Sequence, residues 1–365
     1  MTGTSLDGLD LALVRAEGEG LRMRVRVEDH RSLGLGELQP RLRRACDGAS
    51  MSAGELARLA LDFGRLHAEA LRSMAAGRAV DLVAVHGQTV FHAPPASWQL
   101  INPWPVAQAM GCPVVSDLRG ADLALGGQGA PITPLADWVL LRHAAPTAVV
   151  NLGGFCNITW LPAEASGPDG IAGADICPCN HLLDAAARAA LDRPFDADGA
   201  GALSGSAHGP ALQDLGRMLA QARAGGRSLG TGDEGVAWVR EQSAHLAPPD
   251  LLATVCAAVG ACIGAAAAER GPRRVVLAGG GARNRALRRA IEAAAGGLPT
   301  VVSDDVGLPL EARESAEMAV LGLLAWDGVP ITLAGVTGRT APRMRDGLWC
   351  LPRPERNLHA PSGGA

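Results

Sequence analysis

Short apolar runs recur along the chain at 81–85, 112–115, 147–150, 275–278 and 300–302, separated by stretches rich in Ala, Leu and Arg. Continuous apolar runs of this length suit strands covered on both faces. The longest helical patterns lie between them, at 52–76, 181–192, 211–224, 251–269 and 284–295. Strands alternating with helices in this way predict an α/β fold.

A weak internal duplication divides the chain. The string GTSLDG at 3–8 precedes an alternating strand at 9–14, and residues 149–159 read strand, small-residue turn, strand. Each half therefore opens on a glycine-containing hairpin, which predicts two domains, 1–145 and 146–365. Two such turns facing one another across a cleft can hold a triphosphate through main-chain N–H groups. A third glycine site, Gly279-Gly280-Gly281, joins an apolar strand to a helix that Asn284 can cap. By contrast, GTGDEG at 230–235 has the GxGxxG spacing but follows a polar stretch, so it is not read as a dinucleotide fingerprint.

Residues 251–268 carry no charge and meet the length of a bilayer span, yet eight of the 18 are Ala. The segment is predicted to be a buried helix of a soluble protein, starting after Pro248-Pro249 with Asp250 as N-cap. Gly260 and Gly264 would then mark close packing against a neighbour.

Composition narrows the chemistry. The chain has 365 residues and all 33 basic ones are Arg. Without Lys there is no Walker-type phosphate loop, no Schiff-base lysine and no protein-kinase strand lysine. A net charge of −4 gives no overall attraction to nucleic acid or anionic lipid, so a small-molecule partner is expected. The eight cysteines show no CxxC pair, and the start lacks a basic region followed by an apolar one. Reduced thiols and a cytoplasmic location follow as expectations.

The three turns in this order resemble the actin-like ATPase superfamily, and the longer strings are similar to the anhydro-N-acetylmuramic acid kinase family. They are GTSLDG at 3–8, HGQTVFHAP at 86–94, SDLRGADLALGGQGAP at 116–131, NLGGFCNIT at 151–159, an Asp-centred segment at 173–184, GGGARN at 279–284 and the Arg313-Glu314 region. The resemblance implies a two-domain actin-like, ribonuclease-H-like fold with a nucleotide cleft between domains. It implies sugar-binding elements in the first domain and nucleotide-binding elements in the second. The implied reaction uses ATP and Mg2+ to open the anhydro bond of 1,6-anhydro-N-acetylmuramic acid with water and to phosphorylate O6, within cell-wall recycling.

Residue by residue, the resemblance makes Asp175 the base that activates the water. It assigns the nucleotide to Gly3, Thr4, Ser5, Leu6, Asp7, Gly8, Leu9, Asp10, Gly153, Gly154, Gly279, Gly280, Gly281 and Asn284. It assigns the sugar to His86, Thr89, Arg119 and Glu314, with Arg119 on the lactyl carboxylate. No protein-bound metal site is expected, since Cys177, Cys179 and His181 lack the usual zinc spacing. A homodimer is left open.

The chain departs from the family pattern twice. Asp175-Ile176-Cys177-Pro178-Cys179-Asn180 stands where the family shows DTGPGN, and a β-carbon obstructs wherever a glycine needs positive φ or a close ligand. Family members also carry a short apolar strand before GTSLDG, whereas Met1 and Thr2 alone precede Gly3 here. A start assigned too late is the expectation, because a sheet lacking a central strand leaves its neighbours unpaired. Two other functions stay open: a kinase for another amino sugar, and a non-catalytic ATP-binding relative.

Overall fold

The computed structural model describes residues 1–2, 6, 8–224, 235–340 and 344–352. Its first half pairs β1 (Leu9–Glu17) with β2 (Arg24–Leu33) in antiparallel fashion. Next come β3 (Val83–Ala84), the hairpin of β4 (Gln88–Ala93) and β5 (Ala96–Leu100), and β6 (Val114–Ser116). The second half holds β7 (Thr147–Leu152), β8 (Phe155–Leu161), β9 (Ala172–Pro178), β10 (Arg274–Ala278) and β11 (Thr300–Val302). They form one sheet in the order β11-β10-β7-β8-β9. An antiparallel meander is thus extended on its first strand by two parallel ones, the ribonuclease-H-like arrangement.

Among the described residues the first half carries α1 (Leu38–Cys46), α2 (Ala53–Ala75), α3 (Trp104–Met110), α4 (Gly120–Ala124) and α5 (Pro134–Leu141). The second half continues with α6 (Asn180–Leu191), α7 (Ala200–Ser204), α8 (Gly209–Ala224), α9 (Val236–Ser243), α10 (Pro248–Ala267) and α11 (Arg285–Ala294). The start of α2 is fixed by a capping box, in which Ser52 Oγ accepts from Glu55 N at 3.3 Å and Glu55 Oε2 accepts from Ser52 N at 2.7 Å.

The uncharged segment is α10, and it begins two residues before the expected N-cap. Pro248 and Pro249 fill its first turn, where no N–H is needed. Asp250 therefore does not cap the helix; its carboxylate accepts from Ser206 N at 2.8 Å. Among the described residues α10 alone is long and apolar enough to cross a bilayer, but it is largely buried and packs against α6, α7, α8 and α11. A β-carbon on Gly260 or Gly264 would collide with Ala290, Ile291 or Ala294 of α11, so both glycines permit the close contact expected of them.

Two layers of core follow from the sheet's two faces. Val150, Ile158, Val275 and Leu277 pack against α6, α8, α10 and α11, while Val149, Leu161 and Val276 point toward the first half. There they meet α5 and α12 (Arg313–Trp326). The Arg313 guanidinium ties these two helices together, forking onto both carboxylate oxygens of fully buried Asp137 at 2.7 and 2.9 Å. Beyond α12 come α13 (Ala334–Thr337) and β12 (Leu348–Cys350), which pairs with β6. The boundary expected at 145/146 lies just ahead of β7, whereas α12 packs on α5 and β12 pairs with β6, both elements of the first half.

Among the described residues the first half does not form one sheet. Its strands make a β1-β2 pair and a separate β12-β6-β3 sheet, so β1 and β3 each end a sheet on facing sides. A cavity lies between them, lined by Leu11, Leu13, Met74, Val83, Val85 and Met318. Met1 enters its mouth as the beginning of a ladder: Met1 N donates to Asp10 O and Asp10 N to Met1 O, both at 2.8 Å. Burial of that terminal ammonium pushes its pKa down to about 6.

Candidate active site

Register places three polar side chains in one row across the second sheet. Asn151 of β7 lies opposite Asn157 of β8, which lies opposite Asp175 of β9. Directly opposed residues have β-carbons about 4.5–5.5 Å apart, so the three act as neighbours. Their face is the one that Val149 and Leu161 turn toward the first half. A bulge opposite Cys156 and Asn157 inserts Ile176 as an extra residue. Without it Asp175 and Cys177 would share a face; with it Asp175 is exposed while the Cys177 thiol enters the core against α10.

The same bulge accommodates the departure from the family's DTGPGN. Neither Cys177 nor Cys179 has positive φ, that of Cys179 being −118°, and both side chains are fully buried. Their β-carbons point into the core, so the steric objection to cysteine at these positions is met. Among the described residues no three His, Cys, Asp or Glu side chains are arranged to hold a metal ion.

Beside the polar row two glycine turns converge. The Gly153-Gly154 turn joins β7 to β8, and Gly279-Gly280-Gly281 follows β10. Gly279 has φ +80°, and a β-carbon there would sit 2.7 Å from Asn151 Oδ1, so the turn crosses the end of β7 only as glycine. Asn180 closes the corner by donating to Leu152 O at 3.1 Å. Asn284 caps α11 as expected, accepting from Leu287 N at 3.0 Å. Gly280 differs from its neighbours: an added β-carbon meets nothing within 4 Å and would project into open space.

That space is a cavity of about 280 Å3, with Gly280, Gly281 and Asn284 on one wall and Asp184, Phe195 and Asp198 on another. The second wall was not anticipated from sequence. Phe195 is 58% exposed, and an aromatic face beside a glycine wall is the kind of surface on which a flat base stacks. The signal available was the DADG string at 196–199, whose Asp198 takes a left-handed turn conformation at φ +55°.

Of the GTSLDG turn, Gly3, Thr4, Ser5 and Asp7 lie outside the described residues. The side chains of Leu6 and Leu9 are fully buried with Leu42, Leu59 and Phe63, which leaves only their backbones for a ligand. Gly8 lies against Leu33 O, and Asp10 belongs to β1 beside Met1.

In the first half His86 and Arg119 meet directly. The His86 Nδ1–H donates to Gly87 O at 3.0 Å, leaving Nε2 to accept from Arg119 Nε at 3.3 Å and Nη2 at 3.1 Å. Burial, with the Arg119 charge added, pushes the His86 pKa down to about 3 and keeps the ring neutral. Arg119 Nη1 also donates to Gly129 O at 2.6 Å. Of five N–H groups two remain for a ligand, one on each Nη. Thr89 belongs to β4, whose pairing with β5 begins at Gln88; its Oγ1 accepts from Gln99 Nε2 at 3.4 Å. Glu314 is exposed in the first turn of α12, close enough to the Met1 ammonium to act on its charge.

Residues 1–347 match the profile of the family described as anhydro-N-acetylmuramic acid kinase. The chain belongs to that family. Its relatives of the same name include a protein from Salinibacter ruber, 36% identical over 93% of this chain and 92% of the relative. Another, from Chromohalobacter salexigens, is 34% identical over 96% and 98%. A third, from Acidiphilium cryptum, is 36% identical over 94% of each. Among solved structures, component A of (R)-2-hydroxyglutaryl-CoA dehydratase from Acidaminococcus fermentans aligns with a TM-score of 0.38 at 14% identity, over 86% of this chain and 98% of that one. A glucokinase of the ROK family from Streptomyces griseus, with glucose and AMPPNP, aligns with a TM-score of 0.36 at 12% identity, over 85% and 98%. As a member of a sugar kinase family the chain is a phosphotransferase.

Proposed function

We propose that this kinase opens 1,6-anhydro-N-acetylmuramic acid with water and transfers the γ-phosphoryl group of ATP to the released O6, giving N-acetylmuramate 6-phosphate for cell-wall recycling. The observation that carries the reading is the Asn151-Asn157-Asp175 row, set beside two glycine turns and a cavity of nucleoside size. Asp175 is exposed and, among the described residues, engages no ion pair or hydrogen bond, so its carboxylate is available to take a proton from water attacking C1. Asn157 and Asn151, next in the row, orient that water and the sugar oxygens. The Gly153-Gly154 turn receives the phosphates, and Gly280 lets the nucleoside lie flat against Asn284 and Phe195.

ATP supplies the phosphoryl group when bound, and Mg2+ neutralises its phosphates. The described residues gather no carboxylate cage, which fits an ion carried in on the nucleotide. On the sugar side, the two free N–H groups of Arg119 suit the lactyl carboxylate, with His86 holding the guanidinium in place. We place the enzyme in the cytoplasm.

Incubation with MgATP, the anhydro sugar and 18O-labelled water tests the proposal. One ring-opened 6-phosphate should form per ADP, with label at C1 and none in phosphate. Label in inorganic phosphate with the sugar unchanged would make the protein an ATPase. Equal turnover of an anhydro amino sugar without the lactyl group would transfer the assignment to that sugar class.

A further inference from the structure

Asp122 of α4 is fully buried, and three donors converge on its carboxylate. Oδ2 accepts from Gly129 N at 2.7 Å, while Oδ1 accepts from Thr332 Oγ1 at 2.5 Å and from Thr337 Oγ1 at 2.7 Å. Arg339 Nε stands 4.0 Å from the same Oδ1. The loop after α4 folds around this carboxylate: Gly127 N donates to Asp122 O at 2.9 Å, and a β-carbon on Gly127 would collide with Asp122 Oδ2. The backbone adds two bonds of its own, from Gln128 N to Thr337 O at 2.9 Å and from Thr340 N to Leu125 O at 3.0 Å. Gly129 links this network to the sugar side. Its N–H is held by Asp122, and its carbonyl accepts from Arg119 Nη1 at 2.6 Å.

We propose that Asp122 is a positioning residue for Arg119: it fixes Gly129, whose carbonyl together with the His86 ring sets the direction of the guanidinium. Asp122 itself touches no ligand. A buried carboxylate needs partners, and two of those it has lie 210 and 215 residues further along the chain. The order of the sugar site therefore depends on the segment around α13 being seated against the loop after α4. The consequence for the sugar rests on the proposed contact of Arg119 with the lactyl carboxylate; the aim of Arg119 does not.

Two variants separate aim from stability. Asp122→Ala removes the acceptor of Gly129 N, whereas Asp122→Asn can keep it through Oδ1 and donate from Nδ2 to the threonine hydroxyls. Nitrogen NMR of His86, assigned by loss of its signals in His86→Gln, reads the aim directly, because Nε2 accepts from Arg119. The Nε2 resonance should move toward that of an unbonded imidazole nitrogen in Asp122→Ala and keep its wild-type position in Asp122→Asn. The KM of the lactyl-bearing sugar should rise at least about tenfold in Asp122→Ala, with kcat and the KM of an analogue lacking the lactyl group changing much less. Asp122→Asn should restore the ratio of the two KM values. In an Arg119→Leu background, Asp122→Ala should cost the lactyl sugar nothing further. An unmoved His86 resonance, or losses equal on both sugars and additive with Arg119→Leu, overturns the proposal. Should Asp122→Ala not fold, Thr337→Val removes one donor from Oδ1, keeps the shape and carries the same readings; an unmoved resonance there overturns the proposal as well. A moved resonance with an unchanged KM ratio refutes the lactyl assignment of Arg119 and supports the positioning role.

Discussion

Arg119 and His86, 33 residues apart, are joined through a single imidazole nitrogen: Nε2 of the ring accepts from both Nε and Nη2 of the guanidinium. The imidazole can do so only while neutral, so it both aims the arginine and leaves its charge for a substrate. Arg119→Leu should weaken binding of the lactyl-bearing sugar by roughly 10- to 100-fold, the equivalent of about 1.5–3 kcal/mol for a charged hydrogen bond. An analogue lacking the lactyl group should lose much less. Equal losses on the two sugars would mean that Arg119 acts on the fold.

Asp175→Asn keeps the size and strand position of the side chain and removes its basicity. Turnover should fall by about 10²–10⁴, with thermal stability and ATP affinity nearly unchanged. Steady-state assays beside a melting curve check this, and unchanged turnover would remove Asp175 from the chemistry.

Gly280→Val distinguishes an open site from a packed one. Since an added β-carbon meets no protein atom, the variant should fold normally while its branched side chain occupies the cavity. Calorimetry should find ATP bound at least about tenfold more weakly, or roughly 1.4 kcal/mol. Equal affinity would move the nucleoside elsewhere.

Acid should unfold the protein through two histidines. Burial pushes both His67 and His86 from 6.5 down to about 3, so the folded state keeps them neutral while the unfolded chain takes up protons below about pH 6.5. Their contribution is present above 6.5 and is lost as pH falls toward 3. Each removes about 1.4 kcal/mol per pH unit within that window. Urea midpoints at pH 7, 6 and 5 should fall accordingly, and His67→Gln should reduce the slope. A flat profile would show that the buried rings accept protons in place.

The second sheet was legible because its inner strands are buried on both faces and therefore read as unbroken apolar runs. Elements held by pairing alone were not. In β2 the sequence RVRVEDHRSL is largely exposed, and in β9 the sequence AGADICP carries Gly, Asp and Pro, all poor strand formers that its partner β8 nonetheless aligns. Asp175 was found by motif, but its orientation depends on one extra residue in the ladder. The His86–Arg119 bond depends on two loops meeting at the end of the first half, and no local pattern encodes such a meeting. Phe195 was overlooked because a lone exposed aromatic has no period.

The sheets differ in how their strands can open. The strands of β11-β10-β7-β8-β9 are bonded edge to edge and the inner ones are buried on both faces, whereas among the described residues β2 pairs with β1 alone and is largely exposed. Amide hydrogen exchange would register this as an asymmetry: β2 exchanging early through local opening, and Val149, Val150 and Val276 exchanging only when the whole molecule unfolds.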